Sequence, residues 1–221
     1  MQATDLVLRT LADSGLDGQR SWKNVGDLAH AAGVGEKLAY KVLTRPVSIG
    51  AVVRHPGGGF SVTDPERVLM LFSARRSLAG ARRTTYEAAQ TLIAGLDVYA
   101  LGGTRAAAHH LGDGVMIADH AEAIVYVPEH TDLSFLSKGE GALVTTADAK
   151  SFRSWEDGYT SKAQTYADLF AQPGWQASEF RRALWREWFT VDDWSKAEQE
   201  HGGDSGRRGG APPLRARPPR P

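Results

Sequence analysis

The chain has 221 residues, room for one large or two small domains, and 42% of them are hydrophobic, ample for a packed core. Its 26 basic and 26 acidic residues cancel, so any affinity for nucleic acid has to come from a local patch and not from a global field. With no cysteine, disulfides, thiolate metal sites and cysteine nucleophiles are excluded together.

No run of residues has the length of a membrane span, and the N-terminus lacks the basic start and apolar stretch of a signal peptide. A cytoplasmic protein with no membrane partner is the expectation. Residues 4 to 14 read as a first helix, with Thr4 as N-cap and Leu6, Val7, Leu8 and Leu11 on its apolar side. Trp22 follows, either a lid on the core or a group stacked beside a DNA backbone.

The stretch from Asn24 to Val62 organises the rest. Val25, Leu28, Ala29 and Ala32 recur at i, i+3, i+4 and i+7, the spacing of one buried helical face. Gly33-Val34-Gly35 supplies a sharp turn. A second helix then puts Leu38, Ala39, Val42 and Leu43 inward and Lys37, Tyr40, Lys41 and Thr44 outward. An apolar anchor with a basic, aromatic outer face is what a recognition helix presents to a major groove. Ala51 to Arg54 and Phe60 to Val62 read as paired strands around His55-Pro56-Gly57-Gly58-Gly59, a wing with Arg54 at its base. The order reads as a winged helix-turn-helix over residues 1–83. The blander reading of the same elements is a protein-interaction module with a solvated Lys-Tyr-Lys face.

Pro65 opens a further helix whose apolar side is Val68, Leu69, Leu71 and Phe72. Arg75, Arg76, Arg82 and Arg83 then flank Gly80, as a solvated linker or as phosphate contacts. From Thr84 a small mixed α/β domain is expected to residue 200. It comprises a helix over Tyr86–Leu96, a strand over Val98–Leu101 and a Gly102-Gly103-Thr104 turn into a helix ending at His110. Strands follow over Val115–Ile117, Ala123–Val127 and Ala142–Thr145, then helices over Ser161–Phe170 and Ser178–Phe189. Residues 201–221 are Gly, Pro and Arg with little else, a tail expected to be disordered.

A strand, a Gly-Gly-Thr turn and a helix resemble the opening of polymerase β-type nucleotidyltransferases, so the second domain reads as a degenerate version of that fold. Those enzymes hold divalent metals with paired acids on the next strand. Asp113, Asp119 and Glu122 form no such pair; Asp119 and Glu122, three apart, face different sides of an extended chain. Adjacent His109 and His110 diverge by about a hundred degrees on a helix and do not chelate one ion, so a polar C-terminal residue on the helix dipole is the better account. There is no P-loop and no serine elbow. No metal and no cofactor are expected.

With these motifs in place, the chain resembles the AbiEi-type antitoxin family of type IV toxin–antitoxin systems. The resemblance rests on the winged helix, the run from Tyr99 to Leu111, the helix Lys162 to Phe170, Pro173-Gly174-Trp175, and the helix with Glu179-Phe180-Arg181-Arg182. It spans roughly residues 5 to 190, through short motifs, and similar two-domain regulators without a toxin fit it too. The resemblance implies a regulator that binds inverted repeats upstream of its own operon, beside a nucleotidyltransferase toxin gene. It places DNA contacts at Lys37, Tyr40, Lys41, Arg45 and Arg54, and makes Gln164 and Tyr166 packing residues that fix a neighbouring strand.

The combined reading is an α+β protein and a sequence-specific DNA-binding regulator, an antitoxin-like autorepressor. Lys37, Tyr40 and Lys41 read bases while Arg54, Arg75 and Arg76 hold phosphates. Double-stranded DNA is the partner, with a cognate toxin and a second copy of the chain left open. The alternative is an enzyme acting on nucleic acid (nucleotidyltransferase, glycosylase or nuclease) that uses Asp119, Glu122 or Asp168.

Overall fold

The computed structural model describes residues 2–112, 117 and 121–189. The fold is α+β with two small sheets. Its first half runs α1 (Ala3–Leu16), β1 (Ser21–Trp22), α2 (Val25–Ala32), α3 (Glu36–Ser48), β2 (Val52–Arg54), β3 (Phe60–Val62) and α4 (Pro65–Ser73). The second half runs β4 (Arg82–Thr85), α5 (Tyr86–Ala94), β5 (Ala100–Gly102), α6 (Gly103–Leu111), β6 (Ala123–Pro128), β7 (Gly141–Ala147), α7 (Ala149–Arg153), α8 (Lys162–Ala171) and α9 (Trp175–Phe189).

Local chemistry sets the helix ends in the first half. The Asn24 side chain accepts the Asp27 N–H at 2.8 Å to start α2, and Asp64 accepts that of Arg67 at 2.9 Å to start α4, with Pro65 in the first turn. Gly33 closes α2 in the left-handed conformation, φ 63°, where a side chain would be strained and would also press on Lys150. α3 continues two residues beyond the buried Pro46.

The three short strands form an antiparallel sheet in the order β1-β3-β2, with Trp22 opposite Phe60 and Val52 opposite Val62. β1 was not expected: two residues are too few to show a period. Trp22 is buried and stacks on Phe60 with ring centroids 6.1 Å apart, so it is a lid on the core.

The second sheet has the order β4-β7-β6-β5, with β6 and β7 parallel and both outer pairs antiparallel. Its two faces follow the period of two. Ala123, Val125 and Val127 meet Ala142, Val144 and the α5 residues Ala89 and Leu92, while Ile124, Tyr126 and Leu143 pack with Trp155 on the other side. Two expectations need correction here. Arg82 and Arg83 are not a free linker but the start of β4, with Arg82 opposite Val144. The strand expected over Val98–Leu101 begins at Ala100, leaving Val98 and Tyr99 exposed beside an edge strand. Of the strand expected at Val115–Ile117, Val115 and Met116 lie outside the described residues, as does the 201–221 tail.

The largest core joins the two halves. Leu11, Leu28, Leu43, Phe60 and Leu69 share one cluster with Ala107, Tyr166, Phe180 and Leu184. The change of sheet near residue 83 is therefore not a break in the packing. Each fully buried leucine contributes about 1.5–3 kcal/mol, so the α8–α9 pair is held on the first half by several such terms. Among the described residues no helix is long and apolar enough to cross a membrane.

Candidate nucleic-acid interface

α3 buries Ala39, Val42, Leu43 and Pro46, and this fixes which side faces out. Lys37, Tyr40, Lys41, Thr44 and Arg45 are all exposed on that side, and Glu36 is the only acid on the helix. The β2–β3 hairpin stands next to it. The hairpin tip is closed by the His55 N–H on the Gly59 carbonyl at 3.1 Å, and the His55 ring bonds the Ser61 hydroxyl at 2.8 Å. Arg54 reaches back from β2 to α3. Its Nη1 donates to the Tyr40 hydroxyl at 2.7 Å, and the guanidinium carbon lies 4.3 Å from the Tyr40 ring centroid. Helix and hairpin thus present one continuous basic and aromatic surface.

Arg45 and Lys41 also border an apolar groove floored by Leu8, Leu38, Val42, Leu71 and Ala74, with Arg75 on the same rim. Arg75 is held there by Asp5 at 2.7 Å and by Gln2 at 3.1 Å. Six of the seven residues named from sequence for DNA are thereby placed on α3, its hairpin and the adjoining rim. Arg76 is not among them.

Arg76 turns inward. Its Nε donates to Asp168 Oδ1 at 2.7 Å and its Nη2 to the Tyr126 hydroxyl at 2.6 Å. Tyr126 donates to Asp168 in turn at 2.7 Å, and the Gln164 amide donates to both at 3.0 Å. Burial works against the charge of Arg76, but Asp168 and Tyr126 outweigh it and hold the guanidinium above its ordinary value. Burial, then the Asp168 charge, push the Tyr126 phenol well above its usual range, so it stays a neutral donor. Gly102 makes room for this clasp: a Cβ there would lie 2.6 Å from Asp168 Oδ2.

Of the candidate acids, Asp168 is therefore fully enclosed by its donors, Glu122 is in an ion pair with Arg83 at 3.0 Å, and Asp119 lies outside the described residues. His110 Nε2 donates to the Thr160 carbonyl at 2.9 Å, and His109 stacks on Tyr159 with centroids 4.1 Å apart. Burial lowers the His110 pKa against that carbonyl's pull, and its neighbours His109 and Lys162 lower it further. Among the described residues no three His, Asp or Glu side chains gather as a metal site.

No family model, curated protein or solved structure matches the chain.

Three positioning contacts had no signal in the sequence. Lys150 donates to the Gly33 carbonyl, so the second half touches the turn that aims α3. Asp13 of α1 accepts the Ala163 N–H at 2.8 Å, capping α8 from another helix, and Asp17 pairs with Lys162 at 2.6 Å. Burial pushes the Asp13 carboxyl up to about 6, against the pull of Arg9, the Ala163 N–H and the Ser161 hydroxyl. Sequence separations of 117 to 150 residues carry no local pattern that could disclose such pairs.

Proposed function

We propose that residues 3–62 form a winged helix-turn-helix and that the protein is a sequence-specific DNA-binding regulator, an antitoxin-like autorepressor. The observation that carries this reading is the outward face of α3 with Lys37, Tyr40, Lys41, Thr44 and Arg45, joined through Tyr40 to Arg54 on the hairpin. α3 enters the major groove, where Lys37, Tyr40 and Lys41 meet base edges, and Arg54 and Arg75 hold phosphates on either side. The order α1-β1-α2-α3-β2-β3, with β3 between β1 and β2, supports the assignment, because it seats the hairpin beside the reading helix.

The second half then acts as a scaffold. It keeps a strand, the Gly102-Gly103-Thr104 turn and a helix in β5 and α6, the opening of a nucleotidyltransferase-like unit. Its acids serve the fold: Asp168 closes the clasp and Glu122 pairs with Arg83.

A gel-shift titration on the protein's own upstream region, against random duplex of equal length, tests the reading. Lys41→Ala should weaken the specific complex by about 1–3 kcal/mol and leave the thermal melt unchanged. Unchanged affinity of the Lys41→Ala variant for the upstream region, with the wild-type preference over random duplex retained, would refute the placement of α3. A nucleotidyltransferase toxin in the adjoining reading frame would support the antitoxin part of the reading, and its absence would restrict the protein to regulation alone.

A further inference from the structure

One face of the second sheet packs under α5 and borders a trough at its β5 side. Four strands spaced about 4.8 Å apart are wider than one helix, about 10 Å across, can shield. α5 covers β7 and the middle of that face through Ala89 and Leu92. Beside it, toward β5, a trough of about 360 Å³ remains, large enough for a small molecule. Val125 and Ala123 of β6 and Leu101 of β5 form its floor, and Ala89 and Ile93 of α5 one wall. α6 forms the opposite wall with Arg105, Ala108 and His109.

The lining has a definite chemical character. The interior is aliphatic, whereas the α6 rim carries a guanidinium and an imidazole one helical turn apart. Tyr86, Gln90 and Tyr159 add neutral polar groups, and none of the lining side chains is acidic. Gln90 Nε2 already donates to the Tyr86 hydroxyl at 2.7 Å, and His109 lies flat on Tyr159, so these parts of the rim are fixed before anything binds. A guanidinium has five N–H donors in a fork, so Arg105 can offer one edge to a carboxylate while keeping its other contacts.

We infer that this trough between α5 and α6 binds a small aromatic or branched aliphatic carboxylate, its apolar body on Leu101, Ile93 and Val125 and its carboxylate on Arg105. The site is separate from the α3 face and its test involves no DNA. Phenylacetate is the probe and benzyl alcohol its uncharged counterpart, each titrated into the full chain by calorimetry. Phenylacetate should bind in the millimolar range or tighter, as expected for a ligand of its size. Arg105→Gln should weaken it about tenfold, the loss of one charge-assisted hydrogen bond, and should bring it level with benzyl alcohol. Ala108→Trp, at an exposed position on the trough wall, should abolish binding without lowering the melting temperature. No phenylacetate binding to the wild-type chain up to about 10 mM would overturn the inference. So would equal binding by wild type and both variants.

Discussion

Asp168→Ala is the sharpest test of how the two halves are joined. The wild-type carboxylate is completely buried and accepts from Arg76, Tyr126 and Gln164, which come from the segment after α4, from β6 and from α8. Removing it leaves the Arg76 guanidinium, whose side chain is only 18% exposed, without its counter-charge, and the Gln164 amide without one of its acceptors. Breaking one side of a buried pair costs about 3–5 kcal/mol, and each kcal/mol moves the melting temperature of a domain this size by about 2–4 °C. A drop of roughly 6–20 °C is therefore expected by circular dichroism. Tyr126→Phe removes a single hydroxyl from the same clasp and should cost less, about 1–2 kcal/mol. A shift below about 2 °C for Asp168→Ala would show that the clasp does not hold the halves together and would undo the structural role given to this acid.

Other consequences can be checked separately. The Asp13 carboxyl is raised to about 6 in the folded chain, so between about pH 4 and 6 the folded state binds more protons than the unfolded one, and stability falls as pH rises through that window. The melting temperature of wild type minus that of Asp13→Asn should decline from pH 4 to 6 and stay level above; a difference that grows with pH would contradict the burial of Asp13. Tyr40→Phe and Arg54→Ala should be non-additive in DNA affinity, with a coupling of about 0.5–1 kcal/mol, since the pair orients Arg54 through one hydrogen bond and a ring contact. Additivity within about 0.3 kcal/mol would mean the contact does not position Arg54 on DNA. Gly102→Ala should lower the urea midpoint by the equivalent of about 1–3 kcal/mol, because its Cβ would meet Asp168 and the Tyr126 ring, neither free to move. An unchanged midpoint would show that the clasp has slack.

Several elements were legible in the residues themselves. The 3.6-residue period at Val25, Leu28, Ala29 and Ala32 falls on the observed α2, and the inward set of α3 separates Ala39, Val42 and Leu43 from an exposed Lys37, Tyr40 and Lys41. Burial on one stripe of a helix is a local property, written in residue spacing. The glycine turn at Gly33 is equally local, since a φ of 63° there strains side chains whatever the rest of the chain does.

What lay beyond local pattern depended on pairs distant in the chain. Arg76 reads in sequence as one of four clustered arginines, yet Asp168, 92 residues away, draws it inside while its neighbour Arg75 stays at the rim with Asp5. Arg82 and Arg83 read as a linker until β7 supplies a strand for them to pair with. Backbone hydrogen bonds and buried ion pairs are satisfied by whichever partner the fold brings near, and spacing along one segment says nothing about that partner. So the sequence determined by itself the hairpin, the outward face of α3 and the helices other than the short α7, which no periodic run announced. Only the tertiary structure decided which arginines face solvent, which acids are spent on the fold, and that one core runs through both halves.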